Sequence, residues 1–410
     1  MQAVILAAGE GTRMRPLTAA LPKPMLPVAD RPLCAHTADA AVTADADRLV
    51  FVVGYEADAV VEHFGEEYRG TPVVYATQDE QLGTAHAVRC AREQLDGDPF
   101  AVLYGDDLYD AASIQTLFER APSISAYRAE HPSNYGVLSV EGGEAAGSGD
   151  GRGSGRGHER AVGVVEKPET PETNLVSAGA CVLPGEARDW LDVAESERGE
   201  YELTDVLARV FAEYAVTPVE LDRWMGVGRP WELLEANEWK LAGLVSSTRG
   251  EVSDDAELRG PVAIEEGAVI EPGVVIEGPT LVRSGARVGP NAYVRGATLL
   301  GEDSRVGHAV EIKNSVVMAG THVPHLSYVG DSVLGREVNL GAGTTVANLR
   351  HDDEPVEQTV KGERVSTGRR KYGVVVGDGA KTGIQTSLAP GVVLSAGAHT
   401  GPGETVARDR

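Results

Sequence analysis

The sequence predicts two unlike architectures in one chain, an α/β domain over residues 1–229 and a parallel β-helix over residues 250–410. Apolar, strand-like runs alternate with helical patterns through the first half, as a layered α/β domain requires. Aliphatic residues recur every six positions through the second half. Composition agrees: aromatics make up only 5% while glycines number 49, which favours many tight turns over bulky helical packing. At 410 residues the chain is long enough for two or three cores.

In the first half, Val4, Ile5 and Leu6 read as a short buried strand that feeds a small glycine-containing turn. Further strand-like runs lie at 49–53, 73–76, 100–103, 123–127, 161–165 and 178–183. Their alternation with helical stretches predicts a Rossmann-like three-layer sandwich with a mainly parallel sheet. Residues 141–160 form a Gly/Ser/charge tract with no apolar face, read as a disordered low-complexity insertion without chemistry. Helical spacing from Trp231 onward predicts a connecting helix within 230–249.

In the second half, Ile264, Ile270, Ile276, Val282, Val288, Val294, Leu300, Val306, Ile312 and Met318 stand six residues apart. The pattern resumes at Leu334, Leu340 and Val346, then at Val376, Thr382, Leu388 and Leu394. Such a period is neither helical nor a simple strand alternation, and an internal repeat of this length predicts a β-helix. One aliphatic side chain per face points inward, and turns fall at the corners. Between Val346 and Tyr372 the period breaks, which predicts a loop projecting from the prism.

A net charge of −25, from 37 Lys+Arg against 62 Asp+Glu, argues against nucleic acid or anionic membranes as partners, because long-range repulsion opposes association. An acidic, lysine-poor surface suits very high salt, where the Debye length falls to about 3 Å at 1 M. A halophilic, archaeal source is therefore expected. Cys34, Cys90 and Cys181 fit neither a metal pattern nor a disulfide framework, which implies a reducing cytoplasm. No signal peptide or membrane-length apolar run is seen.

The most specific stretch is Leu6-Ala-Ala-Gly-Glu-Gly-Thr-Arg-Met-Arg-Pro-Leu-Thr with Lys23-Pro-Met downstream. Gly9 and Gly11 let backbone N–H groups approach a ligand, and Arg13, Arg15 and Lys23 crowd positive charge beside them, as a polyphosphate requires. A P-loop lacks its Gly-Lys-Ser/Thr here, and the dinucleotide fingerprint lacks its third glycine, where Met14 stands. The segment instead resembles the signature of sugar-1-phosphate nucleotidylyltransferases. That resemblance implies nucleotide contacts at Leu6, Ala7, Ala8, Gly9, Gly11 and Thr12, with Arg13 and Lys23 as catalytic cations. It also implies base-reading by Gln78, Gly83 and Thr84, and sugar contacts at Gly136, Glu166 and Lys167. Asp106 follows an apolar strand, at the carboxyl end of the sheet where α/β ligands bind, and is the expected Mg²⁺ ligand. Two departures from the family pattern stand out. Ser177 replaces an Asn, and Gly226 replaces a second metal-binding residue, for which Asp222 is a weakly spaced substitute.

Pro324-His-Leu-Ser-Tyr-Val-Gly-Asp, with Arg295 and Glu311-Ile-Lys313, resembles the acetyltransferase half of the bifunctional glucosamine-1-phosphate acetyltransferase/N-acetylglucosamine-1-phosphate uridylyltransferase family. By that resemblance His325, which interrupts the aliphatic series, is the general base, and histidine chemistry suits the task near neutrality. His308 and His322 read as structural. Arg295 and Lys313 would hold the sugar phosphate, and Tyr328 and Asn339 the amino sugar. Asn348 would border the amino sugar or the acetyl group, and Arg369, Arg370 and Lys371 could bind coenzyme A phosphates or form a solvated basic run. The resemblance implies a left-handed β-helix, a homotrimer and a cytoplasmic enzyme that uses Mg²⁺, acetyl-CoA, UTP or dTTP, and a hexosamine-1-phosphate. The alternatives are a thymidylyl- or uridylyltransferase with a structural prism, and a non-catalytic nucleotide-binding subunit.

Overall fold

The computed structural model describes residues 1–142 and 159–410, so most of the 141–160 tract lies outside the described residues. These residues form two compact units. The first comprises Met1–Glu10, Pro22–Met25 and Leu33–Gly226, and the second comprises Gly11–Leu21, Leu26–Pro32 and Val227–Arg410.

The core of the first unit is a sheet whose strand Gln2–Leu6 lies between Arg48–Val53 and Phe100–Tyr104, parallel to both. Thr71–Thr77 extends it in parallel beyond Arg48–Val53. Alternate residues of these strands face opposite layers. Ala3, Ile5, Leu49, Phe51 and Leu103 pack into one core with the helices Leu33–Thr43 and Ala111–Glu119. Val4, Val50, Val52 and Val102 pack into the other with Thr84–Cys90 and Leu203–Glu213. The sheet is mixed rather than mainly parallel. Leu175–Leu183 runs antiparallel to Phe100–Tyr104, and Gly136–Glu141 and Arg160–Glu166 pair antiparallel as well. Parallel neighbours need long crossovers, and the chain supplies helical crossovers chiefly in its first hundred residues or so.

The second unit is a parallel β-helix of the left-handed hexapeptide kind, three stacked ladders enclosing one aliphatic column. The expected positions from Ile264 to Ile312 are all buried in that column. The phase then slips. Val282 pairs with Leu300, eighteen residues on, but Leu300 pairs with Val317 and Val317 with Leu334, seventeen residues on. The inward residue is therefore Val317, not Met318, because each of these coils is one residue shorter. It follows that His325 does not interrupt the series, since Val323 and Val329 on either side continue it. The helix Pro230–Leu241 also belongs to this unit and is shorter than expected, as Ser247–Thr248 already pairs with Ala263 and Ile264 of the first coil. The 346–372 break is not a bare loop. It contains an antiparallel hairpin, Glu357–Val360 with Glu363–Ser366, and ends on fully buried Tyr372.

Candidate functional site

At the carboxyl ends of the parallel strands, Leu6 lies level with Val52 and Tyr104. Gly105 donates its N–H to the Leu6 carbonyl at 2.9 Å, and a Cβ on Gly105 would come within 2.8 Å of that oxygen. The close approach brings Asp106 to the end of the first strand. Around Gly9 there is open space where a side chain would stand. Ala7 donates to Val52 O, and Ala8 O accepts from Gln81, so the turn is pinned by backbone rather than by the side chains it exposes. Lys23 is buried, and its ammonium makes a close ion pair with the Asp106 carboxylate.

Adjacent Asp107 is a different kind of group. It is buried and accepts from Trp224 Nε1 at 2.9 Å. Burial first, and the Asp106 charge second, push its carboxyl well above the usual carboxylate range. Of the two, Asp106 is the one ion-paired to Lys23, and its carboxyl group is a hard oxygen donor of the kind a divalent cation takes together with phosphate oxygens. Gly226 is the register partner of Asp107, and a Cβ there would meet Asp107 Oδ1 at 3.1 Å. A carboxylate at position 226 would face this buried acid at close range. Asp222 is exposed, with its backbone N–H donated to Ser113 Oγ.

Gln78 donates its amide N–H groups to Gly83 O at 3.2 Å and to His86 Nδ1 at 2.9 Å. Gly83 has φ +111°, and a Cβ there would lie 2.4 Å from Tyr201 O, so a glycine is required at the start of this helix. Thr84 Oγ1 accepts from Leu203 N–H at 2.9 Å. Gly136, Glu166 and Ser177 come together: a Cβ on Gly136 would meet Glu166 Oε2 at 3.1 Å and Ser177 Cβ at 3.9 Å. Lys167 is exposed and pairs with Glu166 at 3.2 Å.

In the second unit, Gly11 adopts φ 66° and its carbonyl accepts from Met14 N–H at 2.8 Å and from Thr18 Oγ1 at 2.9 Å. Thr12 and exposed Arg13 follow in this compact turn. On one face of the β-helix, Arg295 and Lys313 are register partners, and Glu311 is the partner of Tyr328. Each expected cation carries its own acid: Arg295 Nε donates to Glu311 at 2.9 Å, and Lys313 Nζ to Asp331 at 2.6 Å. The anticipated cationic pocket is therefore a set of neutralised pairs. Asn348 Nδ2 donates to the Tyr328 hydroxyl at 3.1 Å and to Asp331 Oδ2 at 2.5 Å. Gly330 leaves room for this contact, since a Cβ there would stand 2.4 Å from the Tyr328 hydroxyl. Burial and then the Asp331 charge hold that phenol above its ordinary range. His325 is exposed at the end of the strand His322–His325, directly before the corner that leads to Tyr328. Asn339 lies on the neighbouring face, stacked between His322 and Lys381.

Of the three cations expected to bind coenzyme A phosphates, Arg369 is turned inward. Its guanidinium pairs with Glu238 at 2.5 Å and Glu235 at 3.4 Å on the helix Pro230–Leu241. It is committed to structure, whereas Arg370 pairs with Asp353 at 2.6 Å and Lys371 is exposed. The sequence reading assigned no role to Asp331. That carboxylate gathers Lys313, Asn348 and Asn314 Nδ2, the last of which also donates to Glu238. Replacing Asp331 by alanine strands a largely buried ammonium and is expected to cost roughly 3–5 kcal/mol in urea unfolding. Asp331→Asn, which keeps acceptor capacity, should lose less.

Comparison with known proteins identifies the family of the chain. Residues 2–242 match the nucleotidyl transferase family, and residues 276–372 match the GMPPB C-terminal domain. A protein of Methanococcus maripaludis named bifunctional protein GlmU is 38% identical over 100% of this chain and 95% of its own length. The chain belongs to the bifunctional nucleotidylyltransferase/acetyltransferase family. A Sulfurisphaera tokodaii relative, named bifunctional sugar-1-phosphate nucleotidylyltransferase/acetyltransferase, is 36% identical over 100% of this chain and 98% of its own. A solved Bacillus anthracis structure, described as a glucose-1-phosphate thymidylyltransferase, has a TM-score of 0.50 at 22% identity and covers 58% of this chain and 94% of its own, a likeness of fold. Among the described residues no helix is long and apolar enough to cross a membrane.

Proposed function

We propose that the chain makes a uridine-diphosphate N-acetylhexosamine in two steps. Residues 250–410 acetylate glucosamine-1-phosphate from acetyl-CoA, and residues 1–229 join the product to UTP with release of pyrophosphate. The observation that carries the reading is the coexistence of two constellations in one chain: Lys23 with Asp106 at the strand ends, and Arg295, Lys313, Tyr328 and Asn348 on one prism face next to the His325 corner.

In the acetyl step, His325 removes a proton from the amine as nitrogen attacks the thioester carbonyl, and coenzyme A leaves as its thiol. Lys313 and Arg295 bind the phosphate, each held in place by its acid, and Asn348 and Tyr328 orient the sugar. In the nucleotidyl step a sugar-phosphate oxygen attacks the α-phosphorus. Lys23 neutralises developing charge, and Arg13 provides a further cation for the triphosphate. The ion pair leaves Asp106 with oxygen-donor capacity, so the residues present fit Mg²⁺, with Asp106 as its protein ligand. Bound there, the ion would supply charge neutralisation on the phosphates. Gln78, Gly83 and Thr84 read the base, and Gly136, Glu166 and Ser177 border the sugar. We assign the enzyme to the cytoplasm of a halophile, as a homotrimer.

The test is product analysis in concentrated KCl with Mg²⁺, acetyl-CoA, glucosamine-1-phosphate and UTP. UDP-N-acetylglucosamine formed only when acetyl-CoA is present is the expected result. A requirement for ready-made N-acetylglucosamine-1-phosphate would reduce the prism to a scaffold and leave a single-activity enzyme.

A further inference from the structure

Asn314 occupies a corner of the β-helix with φ 46°, and Asp331 occupies the matching corner of the next coil with φ 50°. The corner one coil earlier holds Gly296, at φ 73° and stacked against Asn314. Left-handed backbone suits glycine and asparagine, so turn geometry alone would accept glycine at 314 as readily as at 296. The Asn314 side chain does something that glycine cannot. Its Nδ2 donates to Asp331 Oδ1 at 3.0 Å and to Glu238 Oε1 at 2.8 Å, so one amide group bridges two carboxylates. Glu238 lies on the helix Pro230–Leu241 and also accepts from Arg369 at 2.5 Å. On the other side, Asp331 Oδ2 accepts from Lys313 Nζ at 2.6 Å and from Asn348 Nδ2 at 2.5 Å. All of these residues belong to the second unit. The Asp331 side chain is 3% exposed, against 16% for Lys313, so this carboxylate depends on protein donors for its hydrogen bonds. Asn314 satisfies Oδ1 and thereby sets the direction in which Oδ2 meets Lys313 and Asn348.

We propose that Asn314, held by Glu238, is a positioning residue for acetyl transfer. It touches no substrate. It fixes the Asp331 carboxylate, and through it the Lys313 ammonium that takes the sugar phosphate. A cation that must first be ordered binds its anion less tightly, so the effect belongs in the KM for the sugar phosphate. The inference rests on the proposed acetyl-transfer activity and adds that a corner residue, gripped from the helix Pro230–Leu241, serves it.

The experiment uses the full chain with two variants. Asn314→Gly keeps a residue suited to the left-handed corner and removes only the side chain. Asn314→Asp keeps the shape but sets a third carboxyl group between Asp331 and Glu238. Coenzyme A release with glucosamine-1-phosphate as acceptor is followed beside pyrophosphate release from UTP with ready-made N-acetylglucosamine-1-phosphate. With Asn314→Gly, the KM for glucosamine-1-phosphate should rise about tenfold, the scale of one hydrogen bond to a charged group, with a smaller change in kcat. Nucleotidyl transfer should stay at the wild-type rate. Asn314→Asp, which puts an acceptor where two acids need a donor, should raise the KM further. An unchanged KM for glucosamine-1-phosphate in Asn314→Gly would overturn the proposal and leave Asn314 as a corner former. An equal loss of both activities with a lowered melting temperature, which marks a general loss of fold, would overturn it too. If Asn314→Gly does not fold, Asn314→Asp decides by the same KM criterion. Absence of acetyl transfer in the wild-type chain would instead overturn the functional reading on which the proposal stands.

Discussion

Alanine at His325 should lower the kcat of acetyl transfer by roughly 100- to 10,000-fold, the usual contribution of a positioned general base, while leaving nucleotidyl transfer intact. The side chain is exposed at the end of its strand, next to the corner that leads to Tyr328. Its removal creates no cavity in the aliphatic column, because Val323 and Val329 fill the inward positions on either side. Stability should therefore change little, as for most surface substitutions. The decisive measurement is free coenzyme A release with glucosamine-1-phosphate as acceptor, beside pyrophosphate release from UTP in the same preparation. Loss of both, in a chain with the wild-type melting temperature, would break the assignment of two separate sites.

The converse holds for Asp106→Asn. The substitution keeps size and hydrogen-bonding capacity but removes the charge that Lys23 pairs with and that a divalent cation would take. Loss of several kcal/mol of charge stabilisation in the transition state corresponds to a fall of roughly 100- to 10,000-fold in nucleotidyl kcat. Acetyl transfer should be unaffected. Neighbouring Asp107 is not expected to replace it, because it is buried and its carboxyl accepts from Trp224 Nε1. Nucleotidyl activity retained at the wild-type level in Asp106→Asn would move the role to another carboxylate.

Local chemistry in the sequence determined much of this. Strands of the first sheet appear as apolar runs because both faces are covered, and each of 49–53, 73–76 and 100–103 lies within an observed strand. The prism is legible because each hexapeptide buries one aliphatic residue, so a periodic demand leaves a periodic trace. Lys23 and Asp106 could be named because both follow short motifs, and the structure pairs them. What the sequence could not fix are properties of residues distant along the chain. A coil shortened by one residue moves the inward position from Met318 to Val317, and only the ladder partner one turn away reveals it. Arg369 reads as a basic run with Arg370 and Lys371, yet glutamates more than a hundred residues earlier neutralise it. Gly226 reads as a lost ligand until Asp107 is seen opposite it. Asp331 lies outside the aliphatic period, and its partners define what it does. Burial by repeat is written locally, whereas charge pairing depends on separation in space, which the fold alone sets.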